Sequence, residues 1–205
     1  MTDLVTQDKW DKLAANFDVM AGNGAEKRWL PKKRELFSHM QGKVLFLALG
    51  TGLDIVAFPP GQDITAIDIS PKMVEQAESR VAAYDGTIDA RVMDVHELDF
   101  PDGHFDQVFT SCTFCSVPDP IAGLRSLQRV LKPGGELYMF EHTGSRVFPF
   151  NMMMKLMSQL TERVGPSMSR QTVANVHEAG YELLEVENLF LDVVKIIKAR
   201  VPAHH

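Results

Sequence analysis

The 205-residue sequence predicts an α/β fold: a doubly wound, mostly parallel seven-stranded sheet that ends in an antiparallel strand pair. Three observations predict it. Short apolar runs alternate with segments of helical period from Val44 to Glu141, and these runs end in glycine or in polar and acidic residues. Two β patterns then follow one another directly near the C-terminus, between Tyr181 and Ile197. Alternation of strand and helix implies parallel strands joined by right-handed crossovers, whereas consecutive strands with a short connection pair antiparallel.

Taken in order, the first elements are two amphipathic helices. Trp10, Leu13, Ala14 and Phe17 recur at i, i+3, i+4 and i+7 with charged residues between them, and a second helix holds Trp29, Leu30, Lys33, Leu36, Phe37 and Met40. Residues 1–43 therefore form an N-terminal helical segment ahead of a domain spanning 44–205. Val44 to Leu49 reads as a buried strand that stops at Gly50-Thr51-Gly52, and Ile64 to Ile67 repeats the pattern and stops at Asp68. Ser70-Pro71 supplies an N-cap and a first-turn proline for a helix carrying Met73, Val74, Ala77 and Val81. Thr87 to Met93 and Phe105 to Ser111 are the next strands, the latter entered through Pro101-Asp102-Gly103. A helix from about Pro120 to Leu131 ends at Lys132-Pro133-Gly134-Gly135, before a strand over Glu136 to Glu141. Residues 147–168 are an apolar, methionine-rich insertion on the substrate side. A helix from Ser169 to Ala179 precedes strands at Tyr181–Leu189 and Leu191–Ile197.

Composition narrows the function. Lys and Arg total 21 against 27 Asp and Glu, a net charge of −6, and 8 basic and 6 acidic residues in 1–43 and 7 and 6 in 142–205 leave the acidity in the middle. Nucleic acid is an unlikely partner for such a chain, because backbone binding needs clustered Lys and Arg. No apolar run reaches the roughly 20 residues of a membrane span, and Met1 to Trp10 has no signal-peptide pattern, so the expected location is the cytoplasm. Two cysteines make no disulfide framework.

On a doubly wound sheet, ligands bind beyond the carboxyl ends of the strands. Those ends here are Gly50-Thr51-Gly52, Asp68-Ile69, Asp94-Val95, Ser111 to Ser116 and Glu141-His142. The glycine turn brings main-chain N–H groups to a ligand but lacks the third glycine of a dinucleotide site. Asp68, 18 residues past Gly50, is placed to accept both hydroxyls of a ribose, and Asp94 to meet an adenine amino group.

These residues carry a resemblance. Val44–Gly52, Ile67–Met73, Met93–Val95, Leu98–Asp106 and Leu131–Gly135 resemble, in order, the motifs of class I S-adenosylmethionine-dependent methyltransferases with their Rossmann-like fold. The chain is also similar to bacterial phosphatidylethanolamine N-methyltransferases and to quinone-biosynthesis methyltransferases. The stretch Thr113–Pro120 followed by Glu141-His142 resembles membrane-associated thiol methyltransferases. The resemblance implies S-adenosylmethionine as cofactor, held by Gly50, Thr51, Gly52, Asp68, Ile69, Met73, Asp94, Val95, Ser111 and Cys112. It implies a lipophilic acceptor, foremost the amine of phosphatidylethanolamine, with a thiol or a quinone precursor as the alternative and a non-catalytic cofactor- or lipid-binding protein as a third reading. The chain departs from the family pattern at Phe46, where an acidic residue is usual, and at Ala48, where glycine is usual. The usual acidic residue helps hold the methionine part of the cofactor.

The remaining roles stay as pairs of alternatives. His142 is either a proton acceptor or a merely hydrogen-bonded histidine, and Glu141 either holds a substrate ammonium or is structural. Trp10, Phe17, Cys115, Met152 and Met153 are candidate acceptor contacts, with core packing as the competing role for the methionines. The N-terminal helix is either a lid or a contact with an anionic membrane surface, and the two are compatible. Cys112 and Cys115 are read as small core or pocket residues rather than as a redox pair or half a metal site, and no metal site is expected.

Overall fold

The computed structural model describes residues 3–22, 25–145, 147–149, 151–154, 156 and 169–203. Two helices, α1 (Leu4–Gly22) and α2 (Ala25–Phe37), precede the sheet strands β1 (Val44–Leu47), β2 (Asp63–Asp68), β3 (Thr87–Val92), β4 (Phe105–Ser111), β5 (Leu131–His142), β6 (Glu182–Phe190) and β7 (Val194–Arg200). Between them lie α3 (Pro71–Ala82), α4 (Pro120–Val130) and α5 (Thr172–Glu178), with a 3-10 turn at Leu53–Ala57. The strand order is β3-β2-β1-β4-β5-β7-β6, parallel except for β7, which runs antiparallel to both neighbours. The sheet is the mixed seven-stranded one that the sequence predicts.

Because β1 pairs with β2 on one side and β4 on the other, the winding reverses there, and the crevice opens at the carboxyl ends of these strands. Side chains alternate across the sheet. Leu45 and Leu47 face the layer that contains Leu124, Leu127 and Val176, while Val44 and Phe46 face the layer that contains Leu36, Phe37 and Ala77. Local signals start the helices as expected: Ser70 Oγ accepts the Met73 N–H at 3.1 Å, and Asp119 Oδ1 accepts the Ala122 N–H at 3.0 Å, each ahead of a first-turn proline.

Several boundaries differ from the sequence reading. β1 stops at Leu47 rather than Leu49, because Ala48 takes a left-handed backbone at φ 62°. β5 begins at Leu131, before the Pro-Gly-Gly segment predicted to separate helix from strand. Gly134 and Gly135 exchange main-chain hydrogen bonds with Val201, and the irregularity is taken up as a register shift against β4 between Phe105 and Gln107. α5 is shorter than predicted, and the β6–β7 turn falls at Leu191–Val193, so β7 runs on to Arg200. Of the predicted 147–168 insertion, residues 150, 155 and 157–168 lie outside the described residues. No helix among the described residues is long and apolar enough to cross a membrane.

Candidate active site

A cavity occupies the crevice at the carboxyl edge. Its floor comes from the β1 turn, its sides from the ends of β2, β3 and β4, and its roof from α1 and α2. Of the residues expected at the cofactor, Gly50, Thr51, Asp68, Ile69, Met73, Asp94, Val95, Ser111 and Cys112 all line it. Gly52 does not. Its φ is 82°, a left-handed backbone that favours glycine, and a Cβ there would also crowd Ile55 Cδ1 at 3.0 Å and Ala77 Cβ at 3.3 Å.

The two buried aspartates differ. Asp68 accepts the Gly50 N–H at 2.8 Å on one oxygen and the Ser70 N–H at 2.9 Å on the other. Burial pushes its carboxyl up to about 6 against the pull of those N–H groups. Asp94 is also desolvated, but the N–H groups of His96 and Asp3 and the His96 ring outweigh burial and hold it below the ordinary carboxylate value. Its Oδ1 accepts from His96 N and Nδ1 at 2.9 and 2.8 Å, and its Oδ2 accepts from Asp3 N at 2.9 Å. A carboxylate offers about four lone-pair sites, so both groups retain capacity for a ligand. Ser111 Oγ is buried without a hydrogen-bond partner and lies on the cavity wall.

The roof is fastened by three aspartates of the N-terminal segment. Asp3 caps α1 by accepting from Val5 N and Thr6 N, and its own N–H reaches Asp94. Asp11 accepts from Ser70 Oγ at 2.5 Å and from Lys72 N at 3.3 Å. Asp18 accepts from Thr51 Oγ1 at 2.5 Å and pairs with Arg80 at 2.6 Å, while Arg80 also donates to the Thr51 carbonyl. The sequence reading did not pick out these residues, although positions 3, 11 and 18 fall on one helical face. Trp10 and Phe17, in edge contact at 6.1 Å between ring centres, point into the cavity from the same helix. Both rings thus belong to the wall of the cavity that the helix covers.

The other expected contacts are not brought to the cavity. Glu141 is fully buried, and its carboxylate accepts from Thr110 Oγ1 at 2.9 Å, Thr113 N at 3.1 Å and Phe114 N at 3.2 Å. It braces the loop after β4, and burial raises its carboxyl to about 7. His142, pushed below the usual imidazole value by burial, ends β5 opposite Val194 and does not line the cavity. Cys115 is buried, with its thiol raised to about 12 by burial, and its Sγ donates to the Cys112 carbonyl at 3.2 Å. Cys112 borders the cavity with a left-handed backbone at φ 52°; its side chain is accessible, and the desolvating cavity wall together with the Glu141 carboxyl pushes its thiol up. Neither sulfur has the depressed pKa of a redox or nucleophilic cysteine. Met152 and Met153 are exposed, 65% and 49%, away from the cavity lining.

Phe46 is fully buried in an aromatic cluster, 5.7 Å from Phe37 and 4.8 Å from Phe58 between ring centres. In place of an acidic residue from β1, the cavity receives two charged side chains from elsewhere. Lys33 of α2 is 3% exposed and its Nζ lies 2.6 Å from Asp54 Oδ1 in the 3-10 turn. Lysine at 33 was expected only as part of a helix, and Asp54 carried no expectation.

Comparison with known proteins follows the same lines. Residues 45–139 match the model of a methyltransferase domain. Human thiol S-methyltransferase TMT1B is 31% identical over 175 residues, covering 76% of this chain and 70% of its own. The ubiquinone/menaquinone biosynthesis C-methyltransferase UbiE of Geotalea daltonii is 32% identical over 154 residues, 70% of this chain and 66% of its own. A phosphatidylethanolamine N-methyltransferase of Cereibacter sphaeroides is 30% identical over 126 residues, with 60% and 62% covered. Among solved structures, a SAM-dependent methyltransferase from Methanosarcina mazei shares the fold at TM-score 0.65 and 19% identity, over 83% of this chain and 98% of that one.

Proposed function

The chain belongs to the S-adenosylmethionine-dependent methyltransferases, and we propose that its acceptor is a lipophilic thiol. The observation that carries the acceptor class is the lining of the cavity. Trp10, Phe17, Leu53, Val117 and Pro118 supply an apolar wall, while the carboxylates on it are engaged: Asp54 by Lys33, and Asp3, Asp68 and Asp94 by main-chain N–H groups. The acceptor capacity that Asp68 and Asp94 retain goes to the cofactor in this reading, so an ammonium headgroup entering beside it loses its hydration with little carboxylate capacity left, among the described residues of the lining, to receive it. A neutral thiol loses far less. The alignment with a thiol S-methyltransferase over 76% of the chain supports the same order of preference, and the phosphatidylethanolamine reading becomes the second one.

The residues present fit the cofactor. Asp68, buried at the end of β2 and held by the Gly50 N–H, would take the ribose hydroxyls. The remaining acceptor capacity of Asp94 would take the adenine amino group, with Ile69, Met73 and Val95 against the ring faces. The unpartnered Ser111 Oγ is a further polar group for the ligand to satisfy. When bound, S-adenosylmethionine supplies a methyl group already activated on a sulfonium. What remains for the protein is to position the acceptor in line, exclude water and let a proton leave. Trp10 and Phe17 close the site from above, and a thiol of cysteine-like acidity is already a few per cent ionised near neutrality, which lowers the demand for a strong base. Glu141 supports this arrangement from behind by fixing the backbone of Thr113 and Phe114.

The test is product mass spectrometry after incubation with S-adenosylmethionine and, in separate reactions, thiophenol or decanethiol, phosphatidylethanolamine vesicles, and a demethylated quinone. An S-methyl thioether formed faster than the other products is expected. Methylated phospholipid with no thioether would replace this reading with the second one.

A further inference from the structure

Phe46 raises a question that the fold answers elsewhere. Its side chain is committed to the aromatic core behind the cavity, so β1 offers no carboxylate to the amino-acid end of the cofactor. The cavity wall nevertheless contains a charged pair of opposite sign. Lys33 and Asp54 come from different elements, α2 and the 3-10 turn, and meet at 2.6 Å with side-chain exposures of only 3% and 15%. The lysine stem is packed so that Nζ sits 5.3 Å from the centre of the Phe140 ring. A buried pair of this kind is a poor way to stabilise a fold, because apolar residues of similar volume do as well or better. Its position is informative instead: both partners line the cavity next to Gly50, Thr51 and Leu53. Among the described residues of that lining, Lys33 is the only lysine or arginine.

We propose that the Lys33–Asp54 pair receives the zwitterionic amino-acid end of the cofactor, the Lys33 ammonium taking its α-carboxylate and the Asp54 carboxylate its α-ammonium. The exchange conserves charge. One buried ion pair opens to admit a ligand that carries both of its complements, so no charge is left unpaired in the cavity. The chain order agrees: Gly50 hydrogen-bonds to Asp68, where the ribose would lie, and Asp54 follows four residues later on the same turn. α2 thereby becomes part of the cofactor site, which neither its amphipathic pattern nor the glycine turn reveals. The proposal rests on the cavity being the cofactor site.

Calorimetry with two ligands tests it without turnover. S-adenosylhomocysteine carries the amino-acid end, and 5′-methylthioadenosine is the same nucleoside thioether without it. The wild type should bind the first at least about tenfold more tightly. Lys33→Met and Asp54→Asn should each weaken S-adenosylhomocysteine by about 10- to 100-fold, the range for losing a charge-assisted hydrogen bond, and change methylthioadenosine by less than about threefold. Equal losses for both ligands, or none for either, overturn the proposal. Should a single variant misfold through its orphaned charge, the double variant Lys33→Met/Asp54→Leu leaves no charge behind. A double variant that still prefers S-adenosylhomocysteine, or that cannot fold, assigns the pair a structural role and overturns the proposal. A wild type that binds neither ligand instead removes the cofactor site itself.

Discussion

Glu141→Gln is the sharpest probe of the framework behind the cavity, because it separates the charge of a buried side chain from its shape. In the fold, one carboxylate oxygen accepts from Thr110 Oγ1 and Thr113 N, and the other from Phe114 N. Glutamine keeps the first oxygen and turns an NH2 toward the Phe114 N–H, losing one hydrogen bond and opposing two donors, a cost of about 1–3 kcal/mol. The charge works in the other direction. Burial raises the carboxyl from an ordinary 4.5 to about 7, so the native state binds this proton more tightly than the unfolded chain does. Stability from this group is therefore fully present below pH 4.5 and is lost as pH rises through 7, about 3 kcal/mol in all. Glutamine has no such dependence. Urea unfolding of both proteins from pH 4.5 to 8.5 should show the variant less stable in acid and gaining on the wild type by about 3 kcal/mol by pH 8. Asp68, raised to about 6, titrates alike in both proteins and cancels in the difference. A difference independent of pH, or one that grows with pH in favour of the wild type, would refute the assignment of Glu141 as a buried, titrating brace.

Four further outcomes are expected. Ala48→Gly relieves a left-handed alanine worth about 1–2 kcal/mol against about 0.5–1 kcal/mol of added chain freedom, so the urea midpoint should rise slightly; a fall would mean that φ is not positive there. Asp68→Ala should weaken S-adenosylhomocysteine by about 5- to 150-fold in calorimetry, equivalent to about 1–3 kcal/mol, and unchanged affinity would remove the ribose assignment. Asp18→Ala removes the Thr51 and Arg80 contacts; because that ion pair is more than a third exposed, amide exchange along α1 should quicken only about 2- to 10-fold, with β1 and β4 unaffected. His142→Ala should leave kcat within about tenfold, since a working base contributes about 100-fold or more, and a larger loss would return His142 to the chemistry.

The architecture was legible because its signals are local. A parallel strand buried on both faces must be a short apolar run, and the chain punctuates the runs with glycine, aspartate or serine where the ligand edge begins. The boundaries that differed were set by partners distant in sequence. Gly134 and Gly135 look like a break until Val201 supplies hydrogen bonds on the other side, and Leu49 looks like strand until Ala48 turns left-handed.

In the site, position along a strand was a better guide than residue type. Asp68 and Asp94 line the cavity as the rule places them, because a carboxylate just past a parallel strand end faces the crevice or the adjoining helix start. The same rule misplaced Glu141 and His142, since β5 lies one strand further from the switch point and its end is covered by the β4 loop, whose N–H groups capture the carboxylate. The lid was hidden for a different reason. Trp10 and Phe17 marked an apolar face, but the direction in which α1 crosses the sheet edge is set by Asp3, Asp11 and Asp18, which meet the ends of β3, β2 and β1 in that order. Read alone, three aspartates on one helical face look like a solvated stripe. Only when Asp11 and Asp18 are seen to accept the Ser70 and Thr51 hydroxyls, and the Asp3 main-chain N–H to reach the Asp94 carboxylate, does the stripe become the seam over the cavity, with the two aromatic rings turned inward beneath it.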